Sequence, residues 1–337
     1  MPLCIVLSCH EPSTISYELL YPAMNHQLSA PNILALPELL TMNSPTLIVI
    51  AGPTASGKTA AAIQLAKHYK TVIVSADSRQ FYRQMSIGTA KPTEEELSAA
   101  KHYFINSLSI TESYTVGHFE KQCLKLLDEL FKTHGVVILV GGSGLFIKAI
   151  TDGFDEFPDA DPDVRKKLNL EFDELGIAPL QEKLKIADPE YYKQVDLNNP
   201  QRVIRALEIF EHTGVPFSAY RKSAINKRPF NIVKLGLTLP REVLYDRINQ
   251  RVDLMVKQGL VDEVKSLLPY RHLNALNTVG YSEMFEYFDG KTDLESAIEQ
   301  IKQNTRRFAK RQLTWFRKDK DIKWIEAQDD LLEKMVL

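Results

Sequence analysis

The chain has 337 residues, of which 44% are hydrophobic and 25% charged, and its formal net charge is −2. These values are ordinary for a soluble globular protein of one large or two ordinary domains, and any basic surface must be local. Three cysteines, Cys4, Cys9 and Cys123, form no C-x-x-C pair. This excludes a disulfide framework and a cysteine zinc site, and fits a reducing cytoplasm.

Residues 1–41 differ from the rest of the chain, with few charges, several prolines and no clear periodicity. No basic segment precedes an apolar stretch, so we expect no secretory signal, and no apolar run approaches the ~20 residues of a membrane helix. Because Met42 directly precedes the first predicted strand, we interpret 1–41 as an upstream extension before the natural start, disordered by composition. A genuine targeting or docking arm is the alternative.

Short apolar runs rich in β-branched residues predict three buried parallel strands, at Thr46–Ala51, Thr71–Ser75 and Val136–Val140. Two segments after the first two strands, Lys58–Tyr69 and Phe119–Thr133, are predicted to be helical. Strands that alternate with helices at this pace predict a doubly wound α/β domain.

The pattern changes after about Asp163. Three helices are predicted before the next strand, at Asp163–Leu175, Ala178–Ala187 and Gln201–Thr213. Ile232–Leu239 then returns the chain to the sheet, and the remainder is predicted to be helical. We therefore predict a catalytic core over 42–164 and 232–337, interrupted by a helical insertion over 165–231.

One segment matches the pattern G-x-x-x-x-G-K-[ST] between a predicted strand and a predicted helix: Gly52, Pro53, Thr54, Ala55, Ser56, Gly57, Lys58 and Thr59. Backbone N–H groups of such a loop converge on phosphate oxygens, and the helix N-terminus adds partial positive charge. Lys58 would neutralise a terminal phosphate, and the Thr59 hydroxyl would hold Mg²⁺. The sequence thus predicts a P-loop NTPase-like parallel sheet core.

Ordinary nucleotide hydrolysis is poorly supported. The third strand ends in Gly141–Gly144 (GGSG) without the acidic residue that a nucleotide hydrolase uses for its metal, and no guanine-recognition signature is present. The glycines of this segment can form a tight turn that has no role in chemistry. Alternatively, they allow a planar ligand to come close to the backbone, where the Ser143 hydroxyl can form a hydrogen bond to it.

Asp77 follows the second strand. Since the carboxyl ends of parallel strands line the ligand crevice, Asp77 is expected beside the phosphate loop. A carboxylate there can accept a proton from an attacking amine, or it can serve a metal or a helix cap, and its position alone does not decide between these roles.

Six segments occur together in a familiar order and spacing that covers 45–320, and they resemble the tRNA isopentenyltransferase family, or tRNA dimethylallyltransferases, of bacterial type. They are GPTASGKT (52–59), SADSRQFY…IGTAKP (75–92), GGSGLF (141–146), NPQRVIRALEI (199–209), TVGYSEM (278–284) and TRRFAKRQLTWFR (305–317). Residues 1–41 lie outside the resemblance.

The resemblance implies a reaction in which dimethylallyl diphosphate donates its prenyl group to N6 of adenosine 37 in tRNA and pyrophosphate leaves. The phosphate loop then holds a diphosphate, with Mg²⁺ as cofactor, and no acid is required after the third strand. The implied protein is a cytoplasmic monomer whose macromolecular partner is the tRNA anticodon stem-loop.

Site roles follow from the same matches. Asp77 is implied as general base and Ser143, where many members carry Thr, as a contact to the acceptor nucleotide. The implied diphosphate ligands are Gly52–Thr59. Between Arg247 and Arg251, which share a helix face, we favour Arg251 as a further diphosphate ligand. The implied tRNA contacts are Asp77, Ser78, Arg79, Gln80, Ser143, Arg165, Gln201, Arg202, Val203, Ile204 and Arg205.

Ile301–Lys318 combines seven basic residues, no acidic residue and three aromatic ones, Phe308, Trp315 and Phe316. A basic row on a near-neutral protein is typical of phosphate-backbone binding. We expect the aromatic side chains in the core and the basic row toward RNA.

Three other functions remain open. An isopentenyltransferase of free adenine nucleotides would share the phosphate loop and Asp77 but would need neither the insertion nor the basic helix. A small-molecule P-loop kinase would need an acidic residue that binds the metal ion, and the third strand is not followed by one. A non-catalytic RNA-binding protein would not need an intact phosphate loop.

Overall fold

The computed structural model describes residues 44–155, 157–158, 161–221, 227–327 and 335, so the proposed extension at 1–41 lies outside the described residues. Within them, one six-stranded sheet has the order β3-β2-β4-β1-β5-β6, and every strand pairing is parallel. The strands are β1 (Thr46–Ala51), β2 (Ile73–Ser75), β3 (His102–Tyr103), β4 (Val136–Val140), β5 (Asn231–Thr238) and β6 (Lys323–Glu326).

Strand β1 lies at the centre of the sheet and all of its residues are buried. Successive side chains point to opposite faces of a strand. Leu47 and Val49 accordingly pack in one apolar cluster, and Ile48 and Ile50 in another on the opposite face. Two covered faces explain why this strand has a continuous apolar sequence rather than an alternating one.

Helices of the first part of the core connect these strands. They are α1 (Lys58–His68), α2 (Glu94–Ala99), α3 (Val116–Leu130) and α4 (Gly144–Thr151). The predicted parallel α/β architecture is confirmed, and β1 and β4 have the predicted bounds.

A helical unit follows, and it begins at Pro162, just ahead of the predicted boundary at 165. Its helices are α5 (Pro162–Leu175), α6 (Ala178–Ala187), α7 (Pro189–Tyr192), α8 (Pro200–Thr213) and α9 (Phe217–Tyr220). The Asp161 and Asn199 side chains accept hydrogen bonds from the first turns of α5 and α8, which fixes where both helices begin. The helices share an apolar cluster of their own, built around residues such as Leu168, Leu184 and Val203.

The last part of the chain is mainly helical: α10 (Arg241–Lys257), α11 (Leu260–Ser266), α12 (Ser282–Phe288) and α13 (Leu294–Phe316), with 3₁₀ turns at Leu268–Tyr270 and Asn274–Leu276. Tyr281, Met284 and Leu260 are fully buried in the cluster that joins α10 to α13. Among the described residues, no helix is both long and apolar enough to cross a membrane.

Two edge strands differ from the prediction. The prediction that everything after Leu239 is helical is wrong for β6, which pairs with β5 from Leu235 to Thr238. Its sequence, KWIE, has charged ends and is only partly buried, so it lacks the apolar run that marks a central strand. β3 has two residues and no buried position, and it was missed for the same reason.

The pairing of β6 depends on a residue without a side chain. A Cβ atom placed on Gly236 of β5 would lie 2.6 Å from Ile322 Cγ2 and 2.8 Å from Trp324 Cε3. Ile322 is buried, and Trp324 packs against the same cluster. The close approach of these side chains therefore requires glycine at 236.

We predict that Gly236→Ala lowers the free energy of unfolding by about 1–3 kcal/mol, the usual cost of overpacking, as measured by urea denaturation. Gly135→Ala is the matched control, because a Cβ there meets no atom of the described residues within 4 Å. Equal stability of the two variants would contradict the close packing of β6 on β5.

Candidate active site

The phosphate loop connects β1 to α1 at the carboxyl edge of the sheet. Gly52, with φ of 147°, lies so close to β5 that a Cβ would be 2.6 Å from the Leu237 carbonyl oxygen. Ala55 is held at φ of 65° and Gly57 at 89°. These left-handed residues turn the backbone sharply ahead of α1, whose first N–H groups have no partner within the helix.

Two side chains of the loop are arranged for an anion. Lys58 donates a hydrogen bond to the Pro53 carbonyl oxygen at 2.5 Å, across the loop. The Ser56 hydroxyl is fully buried and has no protein partner among the described residues. A buried hydroxyl without a partner is costly unless a ligand satisfies it, so the loop is built for an oxygen-rich group.

Asp77 follows β2 and faces the same space, as expected from the strand order. Its carboxylate oxygen Oδ1 accepts a hydrogen bond from the Arg79 backbone N–H at 3.1 Å. Removal from water raises the pKa of Asp77, and the Arg79 N–H and the positive charge of Lys58 oppose that rise. A partly desolvated carboxylate is a stronger base than one in water.

The pKa of Lys58 is shifted in the opposite sense. Burial lowers it to about 7, the nearby Asp77 charge raises it, and Arg251 lowers it further. A lysine with this pKa is only partly protonated near neutral pH in the unliganded protein.

Arg251 is the arginine that reaches the phosphate loop. It extends from α10, and its Nη1 lies 3.5 Å from the Thr54 hydroxyl. Burial lowers its pKa, and the charges of Glu96 and Arg247 act in opposite directions on it. Arg251 lines the cavity beside the loop, and its role as a diphosphate ligand stays a prediction.

The turn after β4 is tied to the turn after β2. The Ser143 hydroxyl accepts a hydrogen bond from the Ser78 N–H at 3.1 Å and donates one to the Ser78 hydroxyl at 3.2 Å. Ser143 thus holds the residue that follows Asp77, while its own backbone opens α4.

These groups share one cavity of about 1680 Å³. This volume exceeds the ~300–1,000 Å³ of a usual small-molecule pocket, so it can admit a small ligand together with part of a larger one. The predicted residues that line it are Thr54–Thr59, Asp77, Ser78, Arg79, Gln80, Ser143, Arg202 and Arg251. Gly52 and Pro53 are buried at the back of the loop.

The remaining predicted tRNA contacts lie away from this cavity. Val203 and Ile204 are buried in the cluster of the helical unit, so their side chains cannot touch a ligand, and the expectation for these two is corrected. Arg165 and Arg205 both bind the buried Glu208, at 2.9 and 3.1 Å, which fixes them at the surface of that unit. Gln201 is exposed on the first turn of α8.

The expectation for α13 is wrong in part. Phe316 is buried, but Phe308 and Trp315 are 39% and 42% exposed and line the cavity. Trp315 lies against the backbone of Gly144, where a Cβ would be 2.2 Å from the indole ring. Lys302 pairs with Asp253 and Glu299, both at 2.8 Å, so it does not contribute free positive charge to the basic row.

A wall of the cavity is fixed by a residue that sequence reasoning missed. Glu263 accepts hydrogen bonds from three consecutive backbone N–H groups, those of Ser86, Ile87 and Gly88, at 2.8–3.0 Å. It also accepts one from the Tyr281 hydroxyl at 2.6 Å. No pattern near residue 263 signals this role, because its partners are distant in sequence.

A bound Mg²⁺ fits the donor set of the loop. Within the described residues, no group of three or more His, Cys, Asp or Glu side chains is placed to hold a metal. Mg²⁺ usually takes substrate phosphates, water and only one or two protein ligands. The Thr59 hydroxyl, which follows Lys58 on the cavity wall, is the residue that would supply such a ligand.

A family model and two relatives of known name point to the same protein family. The model of the IPP transferase family matches residues 80–319, a range that begins just after Asp77. The tRNA dimethylallyltransferase of Christiangramia forsetii is 57% identical over 284 residues, covering 84% of this chain and 94% of that protein. The tRNA dimethylallyltransferase of Flavobacterium johnsoniae is 52% identical over 290 residues, with the same two shares.

Solved structures agree with the sequence relatives. The full-length tRNA isopentenylpyrophosphate transferase of Bacillus halodurans has a TM-score of 0.63 at 40% identity, covering 86% of this chain and 93% of that one. A eukaryotic dimethylallyltransferase acting on tRNA has a TM-score of 0.71 at 27% identity, with 85% and 75% covered. The chain therefore belongs to the IPP transferase family.

Proposed function

We propose that this protein transfers a dimethylallyl group from dimethylallyl diphosphate to N6 of adenosine 37 in the anticodon loop of tRNA, releasing pyrophosphate. One observation carries the proposal: a single cavity joins a phosphate loop to the Asp77 carboxylate, and Arg311 and aromatic residues of α13 lie in its wall. A relative named tRNA dimethylallyltransferase at 57% identity supports the same reaction.

In this reaction the N6 lone pair of adenine forms a bond to C1 of the dimethylallyl group as the C1–O bond to the diphosphate breaks. The electron pair of that bond leaves with pyrophosphate, and the surplus proton on N6 passes to Asp77. The raised pKa of Asp77 makes it a better acceptor for this proton. Lys58, Arg251 and the loop N–H groups stabilise the negative charge that develops on the leaving group.

Mg²⁺, when bound near Thr59, would supply further positive charge to the diphosphate oxygens. The side chains of the loop hold the diphosphate in a fixed orientation. The absence of an acidic residue in the GGSG turn after β4 is consistent with this use, because the reaction breaks a C–O bond rather than a phosphoanhydride.

The acceptor is proposed to be RNA because of the surface around α13. Arg307, Lys310 and Arg311 are exposed on this helix, and Arg311 lies 5.7 Å from the centre of the Phe308 ring. A positive surface with accessible aromatic rings suits unstacked bases and their phosphates. Bases must leave the stack before an enzyme can modify them, and an anticodon loop offers such bases at low cost.

We predict that Asp77→Asn lowers the rate of label transfer from dimethylallyl diphosphate to unmodified tRNA by about 100- to 10,000-fold, the range for loss of a general base. The amide keeps the shape of the carboxylate but cannot take the proton. Asp128→Asn, at an exposed position of α3, is the control and should transfer at the normal rate. Parallel reactions contain AMP or ATP in place of tRNA.

Label in free nucleotide but not in tRNA would reassign the protein to a nucleotide prenyltransferase. Transfer to tRNA that is as fast in Asp77→Asn as in the unmodified protein would exclude Asp77 as the base.

We further predict that diphosphate binding is coupled to protonation of Lys58. With a pKa of about 7, Lys58 is mostly neutral at pH 8 in the unliganded protein. We expect the negative charge of a bound anion to raise this pKa again. Binding of magnesium pyrophosphate at pH 8 should therefore take up about one proton, measured by calorimetry in buffers of different ionisation enthalpy. Affinity should fall as pH rises above about 7.

The Lys58→Arg variant is the control for this proton, because arginine stays charged throughout the range. Uptake should disappear in it. An unmodified protein that takes up no proton at pH 8 would show that Lys58 is charged before the ligand arrives.

Trp315 is predicted to contact RNA. Trp315→Ala should weaken binding of an anticodon stem-loop by about 5- to 100-fold, the range for loss of one base–aromatic stack. Tyr270→Ala is a matched control, because Tyr270 is 40% exposed and does not line the cavity. Unchanged stem-loop affinity with a raised KM for dimethylallyl diphosphate would instead place the ring over the prenyl chain.

A further inference from the structure

The side chain of Gln312 links two walls of the cavity. It points inward from α13 and is 6% exposed. Its Oε1 accepts a hydrogen bond from the Thr54 backbone N–H at 2.8 Å, and its Nε2 donates one to the Gly142 carbonyl oxygen at 2.9 Å. One amide therefore joins the phosphate loop to the turn after β4, with both of its polar atoms satisfied.

Gly142 leaves the space that this amide fills. A Cβ atom on Gly142 would lie 2.4 Å from Gln312 Nε2 and 3.9 Å from Asp77 Oδ2. The amide thus lies in the wall between the phosphate loop and Asp77. The next residue, Ser143, holds Ser78 through its hydroxyl, so the hydrogen bonds continue from the phosphate loop to the turn that carries Asp77.

The contact with Thr54 falls where the phosphate loop is least stable by itself. Pro53 has no N–H group, and Ala55 has a left-handed φ of 65° that costs free energy for a residue with a side chain. Thr54 lies between them, and its hydroxyl is also 3.5 Å from Arg251. Fixing the Thr54 backbone therefore fixes the strained turn and the partner of Arg251 together.

We propose that Gln312 is a positioning residue that sets the diphosphate cradle against the acceptor turn. This inference rests on the proposed function, in which C1 of the donor must meet N6 of the acceptor at close range. Reaction rates depend steeply on such alignment, and a displacement of about 1 Å can cost on the order of 100-fold. Gln312 does not touch the reacting atoms but acts through Thr54 and Gly142.

The test uses Gln312→Met, which keeps the length and approximate volume of the side chain but removes both hydrogen bonds. Gln303→Met, at an exposed position of the same helix, is the matched control. The dissociation constant of magnesium pyrophosphate is measured by calorimetry. The kcat and KM for both substrates, and the ratio of transfer to hydrolysis of dimethylallyl diphosphate, are measured with tRNA.

For Gln312→Met we expect pyrophosphate affinity to fall about tenfold, as for one or two lost hydrogen bonds. Transfer kcat should fall about 100-fold, with a larger share of donor lost to hydrolysis, while KM for tRNA stays within about threefold. Gln303→Met should match the unmodified protein. Gly142→Ala is a second variant, for use if Gln312→Met does not fold. It displaces the Gln312 amide without removing it, and it should cause the same loss of kcat.

Pyrophosphate affinity and kcat within about twofold of the unmodified protein, in a folded Gln312→Met variant, would overturn the proposal. A KM for tRNA that rises in step with the loss of kcat would do so as well. The pyrophosphate measurement does not depend on transfer. If the unmodified protein transfers nothing to tRNA but Gln312→Met still weakens pyrophosphate binding, the proposed function fails and the role of Gln312 in the cradle stands.

Discussion

The electrostatic coupling between Lys58 and Asp77, whose side chains line one cavity, is the interaction on which the site depends. Burial lowers the pKa of Lys58 to about 7 and raises that of Asp77, while each charge partly offsets the shift of the other. The parallel sheet causes this arrangement, because the carboxyl ends of β1 and β2 lie at the same edge, one strand apart across β4. An incoming diphosphate would restore the charge of Lys58 and leave Asp77 free to accept a proton.

The sequence predicts structure and site residues best where the residues that form a feature are neighbours along the chain. The end of β1, the phosphate loop and the start of α1 all lie within the consecutive residues 51–59. Asp77 comes just after β2, and the parallel sheet places the end of that strand at the same edge as the loop. Gln312 could not be found in this way, because its partners Thr54 and Gly142 are brought to it only by the fold. The prediction for Trp315 was wrong because helical spacing identifies an apolar face but not a cavity that opens beside it.

The helical unit and α13 relate differently to the cavity. Arg202 of α8 reaches its wall, whereas Arg165 and Arg205 bind Glu208. The second carboxylate oxygen of Glu208 is buried and has no partner in the part of the chain that the structure describes. A buried carboxylate between two arginines costs desolvation, and it orients both guanidinium groups at the surface. A large RNA that enters at α13 can therefore meet preset positive charge on a second unit, which a small acceptor would not need.

The central claim is that one prenyl group joins one tRNA base for each pyrophosphate released. The most direct measurement combines mass spectrometry of nucleosides from tRNA, after reaction with dimethylallyl diphosphate, with quantitation of pyrophosphate in the same sample. We predict a single prenylated adenosine, located next to the anticodon, in equal amount to pyrophosphate. Pyrophosphate release without a prenylated nucleoside in tRNA would contradict the account, since it would make the protein a hydrolase or a transferase to another acceptor.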